Sequence, residues 1–308
     1  MALEFRNVTK KFTTNAGDRL TAVSDVSFRV DEGEFVSVVG PSGCGKSTIL
    51  SMTAGLYQPS DGEVLVSDAA VTGPNAHVGF MLQKDLLLPW RSIISNIEFG
   101  LEARGVAKAE RRARAMKELE HCQLAGFDSH YPYQLSGGMR QRAALARTLA
   151  IDPEIILLDE PFSALDAQTK LLLQNSFAGT IAKTGKTTLL ITHDLGVVAE
   201  VADDVAVMYM GKIVEKSDVY GLFETPQHPY TRALLDSVPR IGVTARARLP
   251  AIRGMVPHPL ARPSGCTFRT RCDHFMQGLC DLREPLLKPH GPGQVACFLH
   301  EEEAHANV

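Results

Sequence analysis

The chain lacks several things that would place it quickly. No apolar run approaches the roughly 20 residues needed to cross a bilayer; the longest, Val205–Met210, has the length of a strand. The opening "MALEFRNVTKKF" has no apolar core of the kind a signal peptide carries. There is no excess of positive charge: the net charge is −3, so no global footprint for nucleic acid exists. Aromatic residues are only 6% of the chain, with a single tryptophan, and no internal repeat is visible. These absences point to a cytosolic protein that meets a membrane, if at all, through a partner. Charged residues make up 22% and apolar residues 44% of 308 positions, so one large or two modest domains with a sizeable core are expected. Arg111, Arg112 and Arg114 sit in a helix-like segment with Glu110 and Glu118 and read as a solvated face.

What is present begins with alternation. "LEFRNVTKKF", "LTAVSDVSFRV" and "EFVSVVG" read as strands, and "KSTILSMTAGL" as a helix. From about 84 to 152 the pattern is mostly helical. "EIILLDE" and "TTLLITHD" are near-continuous apolar strands, as expected in a parallel sheet covered on both faces. The fold class is therefore α/β. After about residue 218 the texture changes: Pro226, Pro229, Pro239, Pro250, Pro257, Pro259 and Pro263 crowd in and periodicity fades. A boundary is placed there, with 219–308 as a separate, irregular module.

"GPSGCGKST" follows a strand and opens a helix, the context a phosphate-binding loop requires. Gly40, Pro41, Ser42, Gly43, Cys44, Gly45, Lys46, Ser47 and Thr48 form it. Its N–H groups and the helix N-terminus suit phosphate. Lys46 is expected to reach the β- and γ-phosphates, and the Ser47 hydroxyl to ligate magnesium. Asp159, at the carboxyl end of "IILLD", is placed to hold the same ion. Glu160 comes next, where a carboxylate can deprotonate or orient water. These two motifs alone mean an NTPase; a kinase or helicase stays open. "LSGGMRQRAALARTLA" starts a second helix with Ser136, Gly137 and Gly138, a second anion-seeking N-terminus. Two such elements with one phosphate loop suggest two nucleotides shared across a dimer.

Taken together these segments resemble the ATP-binding cassette family over roughly residues 3–215. Phe12 stands where an aromatic packs on adenine. Gly40–Thr48 matches the Walker A loop and Gln83 the Q-loop glutamine, a further magnesium contact. Leu135–Gln141 matches the signature, so Ser136, Gly137, Gly138 and Gln141 are expected to act on ATP bound to the partner. Ile155–Glu160 matches Walker B, Ser163–Asp166 the D-loop with Asp166, and His193 the switch histidine. The resemblance implies a P-loop NTPase core with an antiparallel β subdomain and a helical subdomain at about 84–152, the nucleotide-binding domain spanning 1–218. It implies ATP and magnesium as cofactors and Glu160, His193 and Lys46 as catalytic groups. The partners implied are a second ATPase, identical or paralogous, in a head-to-tail dimer, integral-membrane permease subunits and, indirectly, a solute-binding protein. The protein would lie peripherally on the cytoplasmic face of the membrane. A soluble ATPase of the same family with a redox-sensing metal module is the alternative of another class.

The substrate divides the chain. The stretch after Gln83, with "LLPW", is similar to importers of nitrate, sulfonate and taurine. "TPQHPYTRALLDSVPR" and the residues after it, to about 298, resemble the oligopeptide, dipeptide and nickel importers. The longer tail match favours peptide or nickel. Cys266, Cys272, Cys280 and Cys297, with gaps of five, seven and sixteen residues, could close a site for zinc or an iron–sulfur cluster, or remain thiols. His274 could substitute as a ligand. The resemblance favours a four-iron, four-sulfur cluster that staples an extension too irregular to build its own core. Cys44 and Cys122 read as small fillers.

Overall fold

The computed structural model describes residues 1–14, 17–162, 179–181, 184–237 and 252–301. The first sheet is antiparallel, in the order β2-β1-β4-β5. It comprises β1 (Leu3–Thr13), β2 (Arg19–Val30), β4 (Asp61–Val66) and β5 (Ala69–Ala70). Alternation decides its inner face: Leu3, Phe5 and Val8 of β1 are buried, and Phe5 stacks on Phe28 of β2.

Among the described residues the second sheet has eight strands, in the order β11-β12-β10-β9-β3-β8-β7-β6. Its parallel part is β3 (Phe35–Val39), β6 (Val78–Met81), β7 (Ile155–Asp159), β8 (Thr187–Ile191) and β9 (Asp204–Tyr209). These strands are apolar on both faces because both are covered. Val36, Val38, Ile155 and Leu157 join the core shared with the first sheet and α1 (Lys46–Thr53). Phe35, Val39, Ile156 and Leu158 join the core on the opposite face.

That opposite face carries α2 (Ile93–Ala103), α3 (Lys108–His121) and α4 (Gly137–Ala150), which pack on one another. Ser92 caps α2 by accepting from the Ser95 N–H, and Ser136 caps α4 by accepting from the Met139 N–H. On α3 only Ala115 and Leu119 are buried. Its arginines pair outward: Arg111 with Glu98 and Glu102, Arg112 with Glu98 and Asp128, Arg114 with Glu110. Short helices α5 (Leu195–Val201), α6 (Val219–Glu224) and α7 (Pro229–Asp236) come later in the chain.

The main sheet runs across residue 218. After β10 (Lys212–Asp218), the hairpin β11 (Lys288–His290) and β12 (Gly293–Val295) adds to its edge, with Glu215 opposite Val295. Strands of three residues, one of them built around Pro289, carry no readable period, which is why the sequence shows only irregular chain there. Phe268 sits against Tyr209 and Tyr230, and Arg271 Nη1 donates to the Tyr209 hydroxyl at 3.3 Å. The extension therefore rests on the same core as the sheet.

Candidate nucleotide site

The loop from Gly40 to Gly45 leaves β3 and enters α1. Two glycines in it have no alternative. A Cβ at 40 would lie 2.1 Å from the Met208 carbonyl oxygen, and one at 45, where φ is 107°, would lie 2.3 Å from that of Ala22. No side chain caps α1, so the turn keeps its donors for the loop's mouth. Lys46 is buried, and its Nζ donates to the carbonyls of Gly40 at 2.8 Å and Pro41 at 3.0 Å. Cys44 is buried beneath it, while Ser42, Gly43 and Ser47 are exposed and Thr48 is half-buried.

The carboxyl ends of the neighbouring strands meet this loop. Ser47 Oγ donates to Asp159 Oδ1 at 3.1 Å, at the end of β7. Burial pushes the Asp159 carboxyl up; the Ser47 hydrogen bond opposes this and the Glu160 charge adds to it. A bound cation would relieve that cost. Glu160 has φ 46°, a left-handed conformation rare for a side chain of this size, and its N–H donates to Ile191 O at 2.9 Å. The bend aims its carboxylate across the strand ends. Oε1 stands 2.9 Å from His193 Nε2, and Oε2 accepts from Gln83 Nε2 at 3.2 Å. His193 lies just past β8 and Gln83 just past β6. Burial holds the His193 imidazole below its usual range, with Lys46 pushing the same way and Glu160 opposing. A neutral imidazole beside a carboxylate results at neutral pH.

Four separate segments thus place a lysine, a hydroxyl, two carboxylates, an amide and an imidazole at one end of a parallel sheet. Phe12, on β1, is half-buried and edge-on to Tyr57 at 5.4 Å, with Lys10 Nζ 5.1 Å above its ring. Tyr57 and Lys10 escaped the sequence reading, because nothing local marks them.

Residues 23–163 match the ABC transporter family, and residues 214–280 match the oligopeptide/dipeptide transporter C-terminal region. An ABC transporter ATP-binding protein of Methanocaldococcus jannaschii is 47% identical over 206 residues, which is 67% of this chain and 77% of that protein. The chain belongs to the ABC transporter ATP-binding family. A taurine import ATP-binding protein of Yersinia pestis is 46% identical over 197 residues, 63% of this chain and 77% of its own length. A Brucella ovis ATP-binding protein named for peptide import is 36% identical over 309 residues, 96% of this chain and 97% of that one. An ATP-binding cassette solved as a dimer, in a post-hydrolysis state with ADP and phosphate, superposes with a TM-score of 0.63 at 32% identity. It covers 70% of this chain and 98% of the cassette. The fold is the α/β P-loop NTPase fold, and the chain is an ATP-hydrolysing transport ATPase.

Within this ABC cassette the segment expected to be the signature, Leu135–Gln141, leads into α4. Ser136 is exposed at its N-terminus, with Gly137 half-buried and Gly138 buried. Gln141, expected to act on a partner's ATP, is 3% exposed, and its Nε2 donates to the Gln83 carbonyl of its own chain at 3.2 Å. Asp166 and the rest of the D-loop lie outside the described residues.

The four C-terminal cysteines lie within electrostatic reach of one another. Burial pushes the Cys266 thiol up to about 11 and that of Cys297 up to about 12, and Cys272 and Cys280 add to both. Burial also raises Cys272, and the Cys266 N–H donates to Cys280 O at 2.8 Å. Among the described residues no group of three or more His, Cys, Asp and Glu side chains stands in a geometry to hold a metal ion. The expected metal-binding extension is therefore not supported by this geometry, and His274 joins no such group. Cys44 and Cys122 are both buried. No described helix is long and apolar enough to cross a membrane.

Proposed function

We propose that the chain is the ATP-hydrolysing subunit of an importer whose permease is made of separate membrane subunits. The observation that carries the ATP-hydrolysing part of this reading is the convergence of Ser47, Gln83, Asp159, Glu160 and His193 through contacts between segments distant in sequence, with Lys46 beside Ser47 on the loop. Two cassettes, identical or paralogous, would close head to tail. Each ATP would then lie between Gly40–Thr48 of one chain and the Ser136–Gly138 segment of the other. Phe12 and Tyr57 offer rings for the adenine. Lys46 would release its carbonyl contacts to the β- and γ-phosphates, and Glu160 would take a proton from the attacking water. His193 would stabilise charge on the γ-phosphate, oriented by Glu160. Magnesium, when bound, neutralises charge on the phosphate oxygens. Ser47 and Asp159 suit it, because magnesium takes only one or two carboxylates and completes its shell with phosphate and water; Gln83 stands beside them. The protein would work peripherally, at the cytoplasmic face of the membrane.

The surface past Gln83 fits the permease contact. Trp90 is 72% exposed and Leu86 52%, an arrangement that leaves large apolar side chains for a partner. We read the solute as a peptide or nickel, because the similarity to the peptide-import protein runs through the whole chain, tail included. A taurine-type or related solute is the second reading, favoured by the higher identity over the cassette, which includes the permease-facing loop. The test is to tag the chain in its own cell, solubilise membranes gently and identify the chains that co-purify. A peptide-type permease pair supports the first reading, and a taurine-type permease the second. Recovery without any permease would count against the separate-permease reading and favour the soluble ATPase alternative.

For the extension, residues 219–308, we retain the cluster as a proposal. Four cysteines match the ligand number of a four-iron cluster. The sulfurs around a cluster stand further apart than those around one zinc ion, whose bonds to sulfur are about 2.3 Å. Its chemistry here would be a covalent cross-link of Cys266, Cys272, Cys280 and Cys297. Iron and sulfide in equal amounts after anaerobic purification would support it; zinc, or no metal, would overturn it.

A further inference from the structure

α4 does more than present the signature at its N-terminus. Three of its side chains close on the segment just past β6. Gln141 Nε2 donates to the Gln83 carbonyl at 3.2 Å. Arg140 Nε donates to Asp85 Oδ2 at 3.1 Å. Arg147 donates to the carbonyls of Asp85 at 2.6 Å and Leu86 at 2.7 Å. Positions 140 and 147 are two turns apart and so share one side of the helix. The segment carrying Gln83 is thereby held to the helix at residues 83, 85 and 86.

Gln141 is the member nearest the chemistry. It is 3% exposed, and its Oε1 has no hydrogen-bond partner among the described residues. A buried amide with an unmet acceptor is a liability that an apolar side chain would avoid. Its donor is the part with a task. That donor grips the main chain of Gln83, whose own side chain donates to Glu160 at 3.2 Å. Ser136, at the exposed start of the same helix, remains available to an opposing chain; Gln141 does not.

We propose that Gln141 is a positioning residue for hydrolysis within its own subunit. It fixes the Gln83 main chain, and through it the contact of the Gln83 amide with Glu160, instead of touching nucleotide across the dimer. This rests on the proposed roles of Gln83 and Glu160 in hydrolysis. It also makes α4 a shared frame: the helix that meets one ATP at its N-terminus sets the Q-loop that serves the other.

The test is steady-state ATP hydrolysis by the purified full chain. The variants are Gln141→Glu, Gln83→Ala, their double and Glu160→Gln. Gln141→Glu keeps the shape but turns an oxygen toward the Gln83 carbonyl. It should lower kcat on the order of tenfold and leave KM for ATP within about twofold, the pattern of an interaction felt in the transition state. In the Gln83→Ala background the same change should cost nothing further, because the two act in series. Full additivity in the double variant would overturn the proposal as a merely structural effect. A raised KM at unchanged kcat would overturn it in favour of direct nucleotide contact, and unaltered kinetics would overturn it outright. If melting shows that the buried carboxylate unfolds the chain, the uncharged Gln141→Met repeats the test with the same outcomes. Wild-type rates in Glu160→Gln would sink the reading of the site and this inference with it. An inactive Glu160→Gln beside a fully active Gln141→Glu sinks the inference alone.

Discussion

Replacing Glu160 by glutamine separates binding from chemistry. The glutamine side chain has the same shape. Its oxygen can accept from Gln83 Nε2, as Oε2 does now at 3.2 Å. Its amide can donate to His193 Nε2, 2.9 Å from the present Oε1, because burial keeps that imidazole neutral and able to accept. The left-handed backbone at 160 (φ 46°) strains glutamate and glutamine alike. The fold should therefore change by less than about 0.5 kcal/mol. What is lost is the proton acceptor. Loss of a general base costs on the order of 100- to 10,000-fold in rate, or about 3–5 kcal/mol in the barrier. Phosphate release at saturating ATP and magnesium measures the rate, and a fluorescent ATP analogue measures binding. Binding should survive and turnover collapse. Turnover within about threefold of wild type would refute the role of Glu160, since so small a loss lies outside general-base catalysis. Lost binding with normal folding would refute the claim that the hydrogen-bonded frame tolerates the swap.

Three further outcomes rest on the geometry. Gly40→Ala forces a methyl group to 2.1 Å from the Met208 carbonyl oxygen; thermal unfolding should show a loss of about 1–3 kcal/mol, the usual cost of overpacking, and an unchanged melting temperature would contradict it. His228 is fully buried at the start of α7, and burial holds its imidazole down to about 3, with His300 and Arg232 adding. Unfolded, it titrates near 6.5, so its contribution is complete above about pH 6.5 and fades as pH falls toward 3, by up to about 4–5 kcal/mol. His228→Asn can keep the acceptor that serves the Tyr230 N–H while removing the titration, so denaturant unfolding at pH 7, 5 and 4 should show a flatter acid slope; an identical slope would refute this. Trp90→Glu alters a side chain that is 72% exposed and should leave the melting temperature unmoved while abolishing co-purification of the permease; retained co-purification would remove this face from the contact.

Much of the site could be read from the chain because its parts are local. A glycine-rich loop between a strand and a helix, and a carboxylate pair ending an apolar strand, each carry their own geometry over fewer than ten residues. The signature helix was visible for the same reason, since its cap and its formers are adjacent. The inward contact of Gln141 is not legible in the chain, because its neighbours in sequence belong to the expected signature while Gln83 lies 58 positions away. Tyr57 meets Phe12 only because β1 and the turn after α1 come together in space. The extension was underread because its strands are three residues long.

The α/β class, the order of the motifs and the change of texture near 218 can be read from the chain without its fold. These depend on period, local backbone freedom and residue type, which act over a few positions. The three-dimensional arrangement alone reveals that Glu160 sits between Gln83 and His193, that Gln141 turns inward, and that β11 and β12 extend the edge of the main sheet. Those outcomes depend on which strand lies beside which and on which side chains are left buried together. That is settled by packing between segments far apart in the chain, where no local pattern reaches.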